Sequence, residues 1–267
     1  MNKNNTILIK GAGEKASAVA WGLFSHGFKR LIMTDIENPL AERRGVCFSE
    51  AAFEQGKEIE GVRVERSDLS IDSINSIFSK GIIPLLVSPD ETLLQGIHPD
   101  IIVDSIMAKR NTGTSIEQAP LVIALGPGFN AGKEAHYVIE TNPNIPALGT
   151  IIESGYAEQH TGIPTEVRGK SVERLLLGPG TGVLYALMDI GDPVKKGDTI
   201  GYVGDKKLLS PISGIVWGLI RTPATVKEGQ KLGDIHPGND SQICFKITPQ
   251  AKKITAGVIG AIVRRYL

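Results

Sequence analysis

A glycine-rich loop near the amino terminus is the first place in this 267-residue chain where residue types and spacing indicate chemistry. An apolar segment at 6–9 runs into Gly11, Ala12 and Gly13, and Ala16 follows three residues later. Gly11 permits a tight turn, and Gly13 lets the backbone approach a phosphate group closely. The free N–H groups and the dipole of a helix that starts here favour an anion. The pattern therefore predicts a phosphate-binding loop.

Two acidic residues bear on the ligand of this loop. Asp35 lies 22 residues after Gly13, where an acidic residue meets a ribose hydroxyl in dinucleotide-binding folds. The alternative for Asp35 is a strand-end residue that hydrogen-bonds the next loop. Glu14 stands in the loop itself and would repel a diphosphate, or it serves as a first-turn acid that the helix dipole favours. The sequence leaves these alternatives open.

Further candidates follow from the rule that ligands bind beyond the carboxyl ends of the strands in an open α/β sheet. The loops expected there are 11–15, 35–44, 88–91, 107–113 and 126–133, which are rich in glycine and basic residues. Arginine suits bidentate capture of phosphate, although any one of these charges could be an ordinary solvated one. The predicted cofactor-binding residues are Gly11, Gly13, Lys15, Asp35, Arg43, Arg44, Lys109, Arg110, Asn111, Gly126 and Gly128.

The sequence offers no evident catalytic residues. Cys47 follows two arginines, so an exposed thiol there would have a lowered pKa and could carry sulfur; burial between Val46 and Phe48 is the preferred interpretation. No two of the five histidines have metal-ligand spacing, so no metal site is expected. No Gly-x-Ser-x-Gly elbow or Cys/His nucleophile context occurs. The residues therefore leave open whether the protein is an enzyme.

Composition excludes several classes of partner. Lys plus Arg and Asp plus Glu each number 29, so no net charge attracts the chain to nucleic acid or to an anionic membrane. Aromatic residues make up only 5%, which disfavours a base-stacking surface. No apolar run approaches the roughly 20 residues that span a bilayer, and the amino terminus has no signal-peptide core. We expect a cytoplasmic protein that binds neither nucleic acid nor membrane.

The elements that must position these residues alternate between strands and helices in the first half. Apolar segments at 31–33, 82–87, 101–103 and 121–125 read as buried parallel strands, and 16–24 has the spacing of an amphipathic helix. The pattern predicts an α/β fold: a Rossmann-like parallel sheet with helices over 1–113, the expected nucleotide-binding domain. A β-rich domain is expected over 114–267, with a closing helix at its carboxyl end.

The second half contains an internal repeat. Residues 178–201 and 210–233 align without a gap at an offset of 32, and each copy reads as strand, Gly-Asp-type turn, strand. Two such copies should close on each other. The region 178–233 resembles a biotinyl/lipoyl-type barrel-sandwich domain. Carrier domains of that type place a modifiable lysine between methionines, whereas no methionine flanks Lys206 or Lys207 here. The predicted role is therefore structural or docking.

The ordered series of short motifs resembles one family, the YqeB-type accessory proteins of selenium-dependent molybdenum hydroxylases. The resemblance covers nearly the whole chain, and its Rossmann part is related to the xanthine dehydrogenase accessory factors. The motifs that carry it, in addition to the terminal repeat, lie at 10–13, 34–44, 48–51, 108–111, 126–129, 131–132 and 138–141.

The resemblance implies a maturation role for a cofactor-handling chaperone more than for a catalyst: binding molybdenum cofactor, as molybdopterin or its dinucleotide, and helping its modification or insertion. It thereby makes the 1–113 domain a nucleotide- or pterin-binding domain. It implies as partners an apo molybdenum hydroxylase and a sulfur or selenium donor protein, with a homo-oligomer left open. Two alternatives stay open at this point. One is an NAD(P)-dependent oxidoreductase, motivated by the glycine loop and Asp35; the other is a non-catalytic adaptor built on the same domains.

Overall fold

The computed structural model describes residues 3–87 and 97–266, so the candidate loop at 88–91 lies outside the described residues. The chain divides into two compact units. Unit 1 comprises Met1–Pro39, Cys47–Thr161 and Ile247–Leu267, and unit 2 comprises Leu40–Val46 and Gly162–Lys246. Each unit therefore contains segments that are distant in sequence.

A nine-stranded sheet forms the centre of unit 1. Strand order across the sheet is β3-β4-β5-β2-β1-β6-β7-β8-β9. The pairs β3–β4 and β8–β9 are antiparallel, and the strands between them pair in parallel. The strands are β1 (Ile7–Lys10), β2 (Leu31–Asp35), β3 (Gly56–Ile59), β4 (Val62–Ser67), β5 (Ile83–Val87), β6 (Ile101–Asp104), β7 (Leu121–Leu125), β8 (Tyr137–Ile139) and β9 (Ile151–Ile152). The central strands are almost wholly buried, which explains their continuous apolar composition.

Three helices accompany the sheet in the described part of unit 1: α1 (Glu14–Ser25), α2 (Ile71–Ser79) and α3 (Pro249–Tyr266). Ser70 caps α2, because its hydroxyl accepts the Ser73 N–H at 3.2 Å. Helix α3 packs against α1, where Gly22 leaves room for the Thr255 side chain. The carboxyl-terminal helix thus packs in the same unit as the amino-terminal strand and helix.

The sheet has a switch point beside its first strand. The chain passes from β1 to β2 on one side and later returns to place β6 on the other side of β1. Connections that leave in opposite directions open a crevice beyond the carboxyl ends of the two strands, where ligands bind in open α/β sheets. The loops after β1 and β6 are therefore the expected position of a ligand-binding site.

Unit 2 consists of two four-stranded antiparallel sheets. Their orders are β10-β17-β15-β12 and β14-β13-β11-β16. Buried apolar residues from both sheets form one cluster, and each strand of the first sequence copy has its counterpart in the opposite sheet. The strands are β10 (Leu175–Leu177), β11 (Gly182–Ala186), β12 (Pro193–Val194), β13 (Thr199–Val203), β14 (Lys206–Leu209), β15 (Gly214–Leu219), β16 (Ala224–Val226) and β17 (Lys231–His236).

The structure corrects the predicted fold class. The chain is α/β, but a Rossmann-like parallel sheet followed by a biotinyl/lipoyl-like barrel is the wrong description. The large sheet is mixed, because a hairpin at 56–67 adds an antiparallel strand at one edge and β9 adds one at the other. The β-rich region contributes two antiparallel sheets.

The division into units also differs from the predicted domains, 1–113 and 114–267. Strand β7 lies beyond residue 113 yet pairs with β6 in the same sheet, so the sheet continues through β9. Along the main run of the chain, unit 1 gives way to unit 2 between Thr161 and Gly162. Pairing between neighbouring strands continues the sheet past residue 113, and the local sequence pattern does not reveal that pairing.

A separate finding concerns membranes. Among residues 3–87 and 97–266, no helix combines the length and apolar character that crossing a bilayer requires.

Candidate functional site

The loop between β1 and α1 has an open side at Gly13. Gly11 has a φ of +89°, and a Cβ placed on it would lie 3.1 Å from the Ser105 carbonyl oxygen, so both conformation and space favour glycine. A Cβ on Gly13, by contrast, would meet nothing within 4 Å. Within the described chain no side chain caps α1, whose N-cap residue is Gly13. The helix start can therefore accept an external anion.

Asp35 holds this loop from the end of β2. Its Oδ2 accepts the Ala12 N–H at 3.1 Å, and its Oδ1 accepts the Ile36 N–H at 2.8 Å. Burial raises the pKa of the Asp35 carboxyl, and the two backbone N–H groups oppose that shift. The structure thus gives Asp35 a loop-bracing role close to the strand-end alternative.

Glu14 and Lys15 occupy the first turn of α1 and form an ion pair. Lys15 Nζ lies 3.3 Å from Glu14 Oε1, and the Thr248 hydroxyl donates to the same oxygen at 3.2 Å. Glu14 therefore anchors the segment before α3 to α1, and the charge of Lys15 is balanced beside it. This pairing reduces the repulsion that an acid next to the glycine loop would exert on a phosphate.

A buried polar network closes the inner end of the crevice, and the sequence reading missed it. Lys10 ends β1 and Asp104 ends β6, and the two residues are register partners. Lys10 Nζ donates to Thr114 Oγ1 at 2.7 Å and to Gln118 Oε1 at 3.0 Å, and the Thr114 hydroxyl donates to Asp104 Oδ2 at 2.6 Å. Lys10, Asp104 and Thr114 are all buried. The sequence does contain a signal for this network, because each of the two apolar strands ends in a charged residue.

The loop after β6 displays the exposed cations. Lys109 and Arg110 are exposed, and both Met107 and Lys109 have a φ of +61°, which is unusual for residues with a side chain. Asn111 fixes the loop: its Oδ1 accepts the N–H groups of Gly113 and Thr114 at 2.9 and 2.8 Å. Asn111 therefore shapes the loop, and Lys109 and Arg110 supply its charge.

The two predicted glycines after β7 bring a neighbouring loop against this one. Gly128 has a φ of +107°, and a Cβ on it would lie 2.6 Å from the Arg110 backbone. Gly126 has a φ of +74°, and a Cβ there would overlap the Thr141 hydroxyl. Asn111 Nδ2 also donates to Glu134 Oε1 at 3.0 Å. The structure thus brings together Lys109, Arg110, Asn111, Gly126 and Gly128.

His136, which follows the second glycine turn, has a structural position. Its Nδ1 accepts the Val122 N–H at 3.0 Å, and burial followed by repulsion from Arg265 lowers its pKa. Glu140 is buried as well, and its carboxylate accepts backbone N–H groups of Thr141, Asn142 and Glu158 at 2.7–2.8 Å. Both side chains are used in holding loops together.

Two serine hydroxyls beside the glycine loop are buried without a hydrogen-bond partner in the described part of the chain: Oγ of Ser49 and Oγ of Ser105. Ser49 donates its N–H to the Ala12 carbonyl at 2.9 Å, and the Ser105 carbonyl is the atom that a Cβ on Gly11 would approach. Cys47, two residues before Ser49, is fully buried, in agreement with the preferred interpretation of that residue.

Arg43 and Arg44 belong to unit 2, where other groups engage them. Arg43 is buried and stacks over the Trp217 ring, with 3.9 Å between the guanidinium carbon and the ring centroid. Arg44 donates to the Leu219 carbonyl at 2.7 Å and pairs with Asp189. The remaining nine predicted residues lie in unit 1 near the carboxyl edge of its sheet: Lys15 stands in the first turn of α1, Asp35 ends β2, and the other seven lie in loops.

The same question arises for a metal ion. Within 3–87 and 97–266, no three side chains of His, Cys, Asp or Glu form a group that could bind a metal ion. The expectation of no metal site stays a prediction.

Comparison with known proteins supports the resemblance to YqeB-type proteins. No model of a protein family matches the chain. A protein of Escherichia coli (strain K12), described as "Uncharacterized protein YqeB", is 38% identical over 256 residues, which cover 96% of this chain. The match covers 47% of that relative, so the chain spans about half its length.

Solved structures show only distant similarity. A succinylglutamate desuccinylase/aspartoacylase from Rhodobacter sphaeroides is 16% identical, with 87% of this chain and 85% of that chain covered at a TM-score of 0.27. An aspartoacylase family protein from Mesorhizobium loti is 13% identical with the same coverages and a TM-score of 0.28. These scores are too low to show a common overall fold.

Proposed function

We propose that unit 1 binds a phosphate-bearing ligand at the carboxyl edge of its sheet and that the protein serves in the maturation of a molybdenum hydroxylase. The observation that carries the proposal is the open backbone at Gly13, at the start of a helix that no described side chain caps. Such a helix start attracts an anion through its N–H groups and its dipole. The resemblance to YqeB-type proteins suggests molybdenum cofactor, as molybdopterin or its dinucleotide, as the ligand.

The charge distribution at this edge favours the same ligand. Lys109 and Arg110 are exposed on the loop that follows β6, a strand that pairs directly with β1. His160 lies close enough to Lys109 for that charge to lower its pKa, after burial as the larger cause. We propose that these two cations attract a phosphate to this edge of the sheet, as exposed positive charge raises the local concentration of an anion.

A phosphate group fits the donors that surround the loop. The unpartnered hydroxyls of Ser49 and Ser105 flank the loop, and such groups cost free energy until an acceptor or a water satisfies them. Gly11 and Gly13 would hold the phosphate by their backbone, and Lys109 and Arg110 would neutralise its charge. When bound, molybdenum cofactor supplies a pterin that carries the metal. The chain's own residues bind and orient the phosphate end.

Partners and location follow from the same proposal. A cofactor-handling protein delivers its ligand to an apo hydroxylase and receives sulfur or selenium from a donor protein, both of which we expect in the cytoplasm. Neither nucleic acid nor a membrane has a place in this role. Whether copies of the chain associate is left to measurement of the mass in solution.

One alternative keeps a specific observation in its favour. The glycine loop and Asp35 also match an NAD(P)-dependent oxidoreductase. However, Asp35 already accepts the Ala12 and Ile36 N–H groups, and Ala12 belongs to the glycine loop itself. Because Asp35 hydrogen-bonds the loop, an acidic residue at this position has a structural role that needs no ribose. We therefore rank the oxidoreductase, together with a ligand-free adaptor, below cofactor handling.

The deciding experiment is anaerobic native mass spectrometry with NAD(H), NADP(H) and molybdenum cofactor offered in competition. Binding of the molybdopterin species supports the proposal, whereas selective binding of a nicotinamide dinucleotide supports the oxidoreductase. Binding of none of them to the folded protein supports the adaptor.

The substitution Gly13→Asp tests where the ligand binds. A Cβ at Gly13 meets nothing, so the variant should fold, while its carboxylate should abolish ligand binding by repelling the phosphate. Ser76→Asp, which places the same charge on the exposed face of α2, is the matched control and should bind like the parent. Retention of full affinity in Gly13→Asp would place the site elsewhere.

A further inference from the structure

A cavity in unit 2 has no part in the function proposed for unit 1. Its volume is about 590 Å³, within the roughly 300–1,000 Å³ of small-molecule sites. The cavity is formed within unit 2, mainly by residues around the starts of β12 and β15 and by the segment that follows β17. The residues that line it include Arg168, Ser213, Asn239 and Ser241. The cavity therefore combines ligand-sized space with a cation and three hydrogen-bonding side chains.

Arg168 is held at the cavity by a tight turn. Val167 and Lys170 exchange backbone hydrogen bonds of 2.8 and 3.0 Å, and between them Arg168 and Gly169 have φ values of +49° and +76°. A left-handed conformation is unfavourable for arginine, so local preference does not explain this residue. Arg168 is exposed, and no carboxylate of the described residues forms an ion pair with it. Its positive charge is available to a ligand.

Behind the cavity lies a buried aromatic and cationic cluster. Gly238 lines the cavity and donates its N–H to Nδ1 of His236 at 3.1 Å. The His236 ring meets Trp217 edge-on, with 5.1 Å between ring centroids. Arg43 stacks over Trp217, and Arg174 lies 5.4 Å from the same ring and pairs with Asp234 at 2.6 Å. His236 is thus the layer between the cavity and two buried guanidinium groups.

The charges that act on His236 are mostly positive. Arg43, Arg168 and Arg174 act on its ring against Asp234, whereas Asp192 and Asp240 stand next to lining residues of the cavity and add negative charge at its surface. Burial and then the three arginines lower the pKa of His236, against the opposing effect of Asp234. Arg43 and Arg174 are only 7% and 4% exposed.

Several donors of the cluster also lack acceptors. Nε and Nη2 of Arg43 and Nε of Arg174 have no hydrogen-bond partner in the part of the chain that the structure describes. Arg174 already pairs with Asp234, so these buried guanidinium groups are partly compensated. An anion in the neighbouring cavity would add negative charge close to the donors that still lack an acceptor.

We propose that this cavity binds a small oxyanion, a carboxylate or a phosphate, with Arg168 as the direct cationic contact. Asn239 and Ser241 offer side-chain donors, and the Ser213 hydroxyl, which accepts the Lys196 N–H at 3.0 Å, still has its own proton to donate. The buried Arg43 and Arg174 add positive charge behind His236. Anions are thus preferred over neutral ligands of the same size.

The test uses the full chain and NMR titrations that follow the His236 ring resonances. Inorganic phosphate and acetate are titrated separately at constant ionic strength, so that each arm reports one anion class. Saturable binding of either anion, with a shift of the His236 resonances, supports the proposal and identifies the preferred class. Failure of both anions to shift these resonances overturns it.

Two variants of the same turn locate the contact. Arg168→Asn removes the cation but keeps a residue that tolerates a positive φ, and it should weaken binding about tenfold or more, as expected for a lost charge-assisted hydrogen bond. Lys170→Asn removes the same charge from an exposed position that does not line the cavity, and it should change the affinity less than about twofold. Equal losses in the two variants would show a general charge effect and overturn the assignment.

Discussion

At the scale of single residues, Thr114 joins the two buried charges that end β1 and β6. Its hydroxyl accepts from Lys10 at 2.7 Å and donates to Asp104 at 2.6 Å, and it is buried. Thr114→Val removes only this hydroxyl and leaves both charges in place. We expect the free energy of unfolding to fall by about 2–4 kcal/mol, because buried charges that lose their hydrogen bonds are strongly destabilising. Urea unfolding measures the change.

Thr114→Ser is the matched control, because it keeps the hydroxyl and loses a methyl group. It should lie within about 1.5 kcal/mol of the parent. If the valine variant were as stable as the serine variant, the hydroxyl would not bridge the two charges. The network would then have to be held by Gln118 and by direct attraction between the charges.

At the scale of elements, helix α3 depends on a glycine in α1. A Cβ on Gly22 would overlap Cγ2 of Thr255, whose hydroxyl donates to the Ala251 carbonyl at 2.9 Å and so fixes the side chain. Alanine is intrinsically favoured over glycine in a helix by about 1 kcal/mol. We nevertheless expect Gly22→Ala to destabilise the protein by about 1–3 kcal/mol, as overpacked cores do. Thermal or urea unfolding shows directly whether the substitution lowers or raises the free energy of unfolding.

A double-mutant cycle separates the packing effect from helix propensity. Thr255→Ser keeps the hydroxyl and removes the methyl group that Gly22→Ala would strike. In that background, Gly22→Ala should be neutral or stabilising, with a coupling free energy of about 1 kcal/mol or more. Equal effects of Gly22→Ala in both backgrounds would mean that α1 and α3 do not meet as described.

At the scale of the whole molecule, stability should fall in mildly acidic solution. The pKa values of His136, His160 and His236 all lie below the ordinary 6.5, with burial as the largest cause of each shift. The unfolded chain therefore binds more protons than the native one as the pH drops below about 6.5, and the native state loses stability there. Asp35, whose pKa burial raises above 3.8, offsets part of this loss only at more acidic pH.

Thermal unfolding between pH 7.5 and 5.5 checks this dependence. The parent midpoint should decline across the interval, and His136→Asn should decline less, because asparagine can accept the Val122 N–H without titrating. A midpoint that stays constant, or that rises toward pH 5.5, would contradict the direction of all three shifts.

The glycine loop illustrates what local sequence predicts well. Gly11 has the positive φ that its place in the motif requires, and Ala16 is fully buried at the base of α1. The apolar runs at 31–33, 101–103 and 121–125 correspond to β2, β6 and β7. These features depend on steric limits and periodicity within a few residues, so the sequence carries them without reference to the rest of the chain.

The candidate site depends on contacts between distant segments, which the local sequence does not predict. Arg43 and Arg44 stand in a predicted strand-end loop, yet a short segment, 40–46, places them in unit 2. Asp35, a predicted ligand contact, also braces the loop through Ala12, and Glu14 reaches Thr248, which lies 234 residues away. Such contacts depend on which segments meet, and a short motif contains no information about that.

By itself, therefore, the sequence determined the α/β alternation, the glycine loop, the internal repeat and the burial of Cys47. Only the tertiary structure decided the mixed order of the sheet, the unit boundaries, the network around Thr114 and the cavity beside Arg168. The physical reason is distance along the chain. Lys10 and Thr114 meet across 104 residues, and the pairing of β1 with β6 that unites them is fixed by the packing of the whole unit.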